Sequence, residues 1–296
     1  MSKRFLTDVI AQAGDMPANA AGRLAGAIVR PIGQATRAAA YQLEGALNER
    51  TAAALYVVSH HCVDYGQIPL PVFANLCRSR SVPVIVDAAS EYDLKGFLAQ
   101  GADIAIYSSH KFLGGPTAGI VAGRKDLVRA AYLQNLGIGR GMKVGKESIL
   151  GAIAALEAWE RRDHGAVRAR EQSYLDLWQE RFEGVVGIRI EVLPDPTDNP
   201  LDRLRVHIDP AGTGTTAWEL AAALATGDPP VIVRDHHVEH GFFDLDPCNL
   251  HGPGEAEAVA RRLVEELERA RAGRGSTRTL DEIKAARLER LLAWPD

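Results

Sequence analysis

Two side chains in this sequence stand where charge is expensive. Asp87 stops the short β-branched run Val84 to Val86, and Ile104 to Tyr107 is a second such run, stopped by Ser108 three residues before Lys111. Both runs read as buried parallel strands with polar residues at their C-terminal ends, the edge where ligands sit in open α/β sheets. A carboxylate and an amine at neighbouring strand ends each need a partner. Facing one another they would form a structural salt bridge. The flanking residues suggest more: Ser108, Ser109 and His110 before the lysine, and Gly114, Gly115 and Pro116 after it, offer hydroxyl, imidazole and close backbone approach, which suit a phosphate. A lysine amine becomes nucleophilic when part of its population is deprotonated, and burial beside positive charge favours that. The stretch is thus expected to bury a reactive amine.

The Asp at a strand end, the Ser108-Ser-His-Lys111 turn and the following Gly-Gly-Pro-x-x-Gly-Ile resemble the fold type I pyridoxal-phosphate enzymes. With Ile138 to Glu147 (IGRGMKVGKE) included, the sequence resembles the selenocysteine synthase-like branch, which also holds D-glucosaminate-6-phosphate ammonia-lyase-like proteins; the similarity runs from roughly Arg50 to Ala270. The resemblance implies an α/β protein: an aspartate aminotransferase-like, three-layer αβα large domain with a mostly parallel sheet, and a smaller α+β C-terminal domain. It implies pyridoxal 5'-phosphate as cofactor, with Lys111 in Schiff-base linkage and Asp87 paired to the pyridinium nitrogen. Ser108 and His110 would contact the phosphate. An Arg-x-x-Arg pair facing an anionic substrate group, often across a subunit boundary, is implied near residue 140. Arg140 matches its first Arg, while Lys143 replaces the second and weakens two-pronged anion recognition. A small-domain Arg holding a substrate carboxylate corresponds to Arg234, for which pairing with Asp235 or Asp244 is the structural alternative. The resemblance also implies a homo-oligomer. The upstream Gly/Ser/Thr phosphate loop and the ring-stacking aromatic or His are not found before Arg50, so an abbreviated N-terminal segment is expected.

The elements around these residues follow from pattern. Residues 1–45 are Ala-rich, with scattered Gly and Pro and only weak strand or helix patterns. A short helix from Tyr41 to Asn48 precedes a buried strand from Thr51 to Ser59, which ends in His60 and His61. That pair is polar capping, or His61 lines the cofactor cleft, since this strand ends at the same edge as Asp87. Pro69 to Arg80 reads as a helix, with Pro at its start and basic residues at its end. Gly119 to Ala122 reads as a strand and Lys125 to Asn135 as a helix. In Glu147 to Arg162, Ile149, Ile153 and Leu156 share one face, and a further helix from Val167 to Phe182 leads to the second domain. There, strands Ile188 to Val192, Leu204 to Ile208 and Val231 to Val233 accompany helices Thr216 to Thr226 and Glu255 to Ala270. The organisation read is therefore 1–45 N-terminal, 46–147 cofactor-binding, 148–182 connecting helices, 183–272 α+β, and 273–296 a C-terminal helix capped by Ser276 or Thr277.

Composition narrows the function. The 296 residues are 46% apolar, ample for a packed core, and a net charge of −4 gives no electrostatic reason to expect nucleic acid as a partner. Cys62, Cys77 and Cys248 lie far apart with no C-x-x-C pair, which points away from a disulfide framework or zinc knuckle and towards a reducing cytosol. No stretch approaches the ~20 apolar residues of a membrane span, and MSKRFLTDVIAQAGDM lacks a signal-length apolar core; a soluble cytoplasmic protein is expected. The His-rich stretch Arg234 to Pro247 invites a metal reading through His236, His237, Glu239 and His240, of which His236 and His240 stand four residues apart as a helical site requires. Pro230 and Gly241-Phe242-Phe243 favour strand and loop there, and no metal is assigned. The expected activity is pyridoxal-phosphate-dependent α,β-elimination or replacement, of ammonia-lyase or transferase type, on an anionic amino acid or amino-sugar acid. The alternatives are a pseudoenzyme or oligomerisation partner of the same fold, and a metal-dependent hydrolase using His236 and His240.

Overall fold

The computed structural model describes residues 8–12, 26–34, 37–59, 66–274 and 278–293. The chain forms two compact units, Met1–Arg162 and Asp163–Asp296. The division falls between the two helices read as connectors, so one belongs to each unit.

The first unit is built on strands β1 (Asp8–Gln12), β2 (Ile28–Ile32), β3 (Thr51–Val57), β4 (Val84–Asp87), β5 (Ile104–Ser108) and β6 (Gly119–Gly123), in the order β2-β1-β3-β4-β5-β6. All neighbours are parallel except β5 and β6. This mostly parallel sheet with flanking helices is the α/β class expected from sequence. Strands β1 and β2 lie in the stretch where sequence shows only weak patterns, and both belong to this sheet. Short apolar strands leave little periodicity to read.

Helix α1 (Ala40–Ala46) and helix α2 (Leu70–Ser79) cover one sheet face. In α2 the buried residues Leu70, Phe73, Ala74 and Cys77 recur at helical spacing, and Pro71 sits in the first turn, where a missing N–H costs nothing. They meet Ala54, Tyr56, Val84, Val86, Ala105 and Tyr107, which alternate along the central strands. Tyr56 packs edge-on against Phe73 at 5.2 Å and donates its hydroxyl to the Ile68 carbonyl at 2.9 Å. Burial holds that phenol at about 12, so it stays neutral. On the opposite face the register sets Val57, Asp87 and Ile106 side by side, with Ser108 two residues further along β5. Asp103 ties the strand starts together: it accepts from the Val84 N–H at 2.8 Å and pairs with Arg124 at 3.0 Å. A single turn, α3 (Gly96–Ala99), precedes β5; α4 (Lys125–Leu133) and α5 (Lys146–Arg161) follow β6.

The second unit opens with α6 (His164–Phe182), capped by Asp163 accepting from the Ala166 N–H at 2.9 Å. Its antiparallel sheet runs β7 (Ile188–Pro194), β8 (Asp202–Ile208), β9 (Phe242–Leu245). The third strand is thus Phe242–Leu245; the expected strand at Val231 to Val233 contributes only the neighbouring bridge between Arg234 and Asp244. Helices α7 (Pro210–Thr213), α8 (Ala217–Thr226), α9 (Pro253–Arg269) and α10 (Leu280–Leu292) complete the unit. The core joins Trp178, Leu204, Val206, Leu220, Leu224, Phe243, Leu263 and Leu267. Helix α10 starts at Thr279, whose hydroxyl and the Glu282 carboxylate form a reciprocal capping box. Ser276 and Thr277, the caps expected from sequence, lie outside the described residues. Among the described residues no helix is long and apolar enough to cross a membrane.

One charged cluster in this unit links stability to pH. Arg203 meets Asp195 at 2.6 Å and Asp246 at 2.8 Å. Burial pushes the Asp246 carboxyl up, but the charge of Arg203 and the hydrogen bonds from Cys248 and Arg203 outweigh it, and the net shift is down, as it is for Asp195. Carboxyls depressed in the folded state contribute stability above their unfolded value of about 4, and lose it as pH falls through the folded value. Hydrogen-exchange protection of the β7–β9 amides in the full chain is therefore expected to decline below about pH 4. Asp246→Asn is expected to lose about 1–3 kcal/mol at neutral pH, because it leaves the buried Arg203 guanidinium with Asp195 as its remaining carboxylate partner, and to show a flatter acid limb.

Candidate active site

The carboxyl ends of β4 and β5 lie side by side, and the candidate residues gather there. Asp87 ends β4 half-buried, its Oδ1 accepting from the Ala89 N–H at 3.2 Å. The chain then turns through Ala88, Ala89 and Ser90, while Ser108 ends β5 on the same face of the sheet as Asp87. Lys111 lies in the turn beyond, and its Nζ donates to Ser90 Oγ at 2.8 Å. The amine and the Asp87 carboxylate do not form an ion pair, so the simple salt bridge is not what the structure holds. The expected burial of the amine is not observed either: the Lys111 side chain is exposed in this chain. The turn projects it outward, because the two residues that follow are the ones packed inward.

Those two residues anchor the loop. Leu113 is buried with Ala155 and Trp159 of α5, and Phe112 packs on Trp159 and Tyr92, each with centroids 4.8 Å apart. Tyr92 meets Trp159 edge-on at 5.4 Å. The Gly-Gly-Pro segment is clamped from both sides. A Cβ on Gly115 would fall 2.2 Å from Ser109 Oγ and 2.9 Å from Ala155 Cβ, and one on Gly151 would fall 2.7 Å from Pro116 Cγ. Only glycine at 115 lets the loop turn this close to α5. Hydrogen bonds fasten the same turn, with the Gly115 N–H donating to the Ser109 carbonyl at 2.8 Å and the Ser109 N–H to the Ala118 carbonyl at 2.9 Å. On α5 the buried face is consequently Ala152, Ala155 and Trp159, whereas Ile149 and Ile153, expected on the packed face, are exposed.

Beneath the site, Glu91 is only 1% exposed and follows directly on Ser90. Burial, then the charges of Asp93 and Glu91, hold the Tyr107 phenol at about 12. Tyr107 stays neutral and donates to the Asp93 carbonyl at 3.0 Å. Ser90, Glu91 and Phe112 are the site residues that pattern reading missed. Their one signal in sequence is position, directly after a strand-ending Asp or beside the lysine.

The remaining candidates are spread out. His110 is exposed in the lysine turn, and Arg140 and Lys143 are exposed at the 3-10 turn Ile138–Met142. His61, with His60, lies outside the described residues. Arg234 belongs to the second unit, where its side chain pairs with Asp246 at 3.3 Å; Asp244 meets it only through the backbone, and Asp235 pairs with Arg287 instead.

A carboxylate, a primary amine and hydroxyls at one sheet edge fit a pyridoxal-phosphate ring, its aldehyde and its phosphate. The fold agrees, being that of the fold type I pyridoxal-phosphate enzymes. The structure of D-glucosaminate-6-phosphate ammonia-lyase superposes with a TM-score of 0.74 and 34% identity, covering 90% of this chain and 72% of that one. Apo CalE6, a methionine gamma lyase from Micromonospora echinospora, shares the fold at a TM-score of 0.58 and 18% identity, covering 88% of this chain and 76% of the other.

The chain belongs to the L-seryl-tRNA selenium transferase family, whose model matches residues 21–171. It is similar to D-glucosaminate-6-phosphate ammonia lyase of Salmonella typhimurium (35% identity, 86% of this chain, 68% of the relative). It is also similar to 5'-C-glycyluridine monooxygenase-decarboxylase of a Streptomyces species (38%, 75% of this chain, 56% of the relative). L-seryl-tRNA(Sec) selenium transferase of Desulfovibrio desulfuricans is 34% identical over 76% of this chain and 54% of its own length. The chain thus spans between about half and two thirds of the length of these relatives. They are enzymes of different reaction types.

The clamp at Gly115 predicts a measurable coupling. Gly115→Ala is expected to displace Lys111 and slow borohydride-trappable attachment of pyridoxal phosphate by roughly 10²-fold, the cost of about 1 Å of misplacement. Ser109→Ala in that background removes the Oγ clash and should recover part of the loss, while Ala155 keeps the rest. Equal rates in the single and double variants would show that Ser109 does not set the loop.

Proposed function

We propose that this protein is a pyridoxal-phosphate-dependent enzyme that removes a proton α to an amine and expels or replaces a β substituent, acting on an anionic amino acid or amino-sugar acid. The observation that carries this reading is the placement of Lys111 and Asp87 at adjacent strand ends without mutual neutralisation. When bound, pyridoxal phosphate supplies an aldehyde that joins an amine and a ring that withdraws electrons from the carbon next to it. Lys111, held towards Ser90, would be its attachment point, and the same amine would be the group placed to carry the proton at the α carbon. Asp87, which also accepts the turn hydrogen bond from the Ala89 N–H, would pair with the ring nitrogen and hold it protonated. Ser108 and His110 would hold the phosphate.

Arg140 and Lys143 supply the positive charge for an anionic substrate group. The Arg234 guanidinium is already met by Asp246 and would have to leave it to hold a carboxylate. Similarity to an ammonia lyase and to transferases supports elimination or replacement as the reaction, and the lyase relative supports a phosphorylated amino-sugar acid as the substrate class.

Borohydride reduction of the protein mixed with pyridoxal phosphate is expected to fix the cofactor to the peptide holding Lys111, as read by mass spectrometry, and to leave Lys111→Ala unlabelled. Asp87→Asn should still be labelled, while ammonia release from a phosphorylated 2-amino sugar acid falls by roughly 10²–10⁴-fold, the range for a misassigned proton in catalysis. Labelling spread over surface lysines, or undiminished in Lys111→Ala, would leave the fold without the activity.

A further inference from the structure

The turn that joins the second unit's interior to β9 carries an arrangement the reaction does not use. His237, Glu239 and His240 each offer a ligand atom, and the three atoms lie within 4.8 Å of one another. Val238–His240 is a 3-10 turn, not an α-helix. At three residues per turn, side chains at i and i+3 eclipse, so the imidazoles set over one another are those of His237 and His240, with centroids 6.2 Å apart. The pair four residues apart, His236 and His240, would need α-helical winding. His240 also lies along the Phe242 ring at 6.3 Å, which is backed by the Arg205 guanidinium 3.9 Å from its centroid. Gly241, at φ 82°, ends the turn in a conformation other residues avoid and brings Phe242 under the imidazole.

We propose that His237, Glu239 and His240 form a surface site for a divalent transition metal of the zinc class, with water in the remaining positions. Two imidazole nitrogens and one carboxylate oxygen suit zinc, nickel or copper, whereas calcium and magnesium take oxygen shells. Tetrahedral zinc at about 2.0–2.1 Å from each donor needs ligand atoms roughly 3.3 Å apart. All three side chains are exposed and their ligand atoms already lie within 4.8 Å of one another, which leaves them room to turn inward on a metal. The charges facing the site are Lys284 of α10, close enough to act on Glu239, and Arg205 beneath Phe242. Lys284 competes with the metal for the Glu239 carboxylate. Glu239 and Lys284 also border a cavity of about 490 Å³, whose apolar wall includes Ala221, Val238 and Ile283.

The test is titration of the full chain, metal-free and without added pyridoxal phosphate, with Zn²⁺ in competition with a chromophoric chelator. One equivalent should bind. His236→Ala should bind it as tightly as the parent, His237→Ala/His240→Ala at least tenfold more weakly, and Lys284→Ala somewhat more tightly. Circular dichroism of the double variant should match the parent, since both imidazoles are on the surface. No binding by the parent, undiminished binding by the double variant, or an equal loss in His236→Ala would overturn the assignment.

Discussion

The contact on which the candidate site depends is steric, between glycine and its neighbours at the Lys111 loop. Gly115 lies so close to Ser109 and Ala155, and Gly151 so close to Pro116, that a single added carbon on either glycine collides. That closeness lets α5 press on the loop and lets Phe112 and Leu113 enter the aromatic cluster with Tyr92 and Trp159. Lys111, the residue before them, is turned outward towards Ser90 as a consequence. The packing that stabilises the loop is therefore the packing that directs the amine.

This arrangement separates two requirements that usually travel together. A nucleophilic lysine needs a fixed direction and an uncharged amine, and burial commonly supplies both. Lys111 is exposed, and the loop clamp and the hydroxyl of Ser90 give it its direction. Asp87 forms no ion pair with it and accepts from the Ala89 N–H instead. The two strand-end groups are thus not a fold-stabilising salt bridge, which would have joined them to each other.

Much of this was legible from residue order because strand ends and glycine turns are local signals. The Asp87 and Lys111 positions, the parallel pairing of β3, β4 and β5, and the helix at Leu70–Ser79 follow from runs of a few residues. What escaped was whatever tertiary contact decides. The buried face of α5 is its small-residue face because the Gly-Gly-Pro loop must approach closely, so large apolar residues at the same spacing stay outside. Ser90 and Glu91 carry no motif, and their roles come from where the chain turns after β4. Arg234 was read through the family; its partner, Asp246, lies in a cluster with Arg203 and Asp195 that only the three-stranded sheet assembles.

The histidines near residue 240 show the same limit in a single turn. Spacing in a sequence becomes geometry only when the winding is known, and a change from 3.6 to three residues per turn exchanges His236 for His237 as the partner of His240. Gly241 forces that choice, because a left-handed residue there ends the helix before an α-turn can complete and sends Phe242 into β9. The strand the sequence pattern sought at Val231 to Val233 is displaced for a related reason: β9 already pairs with β8, so the preceding segment keeps only the single bridge at Arg234. One glycine thus decides both where the sheet ends and which imidazoles meet.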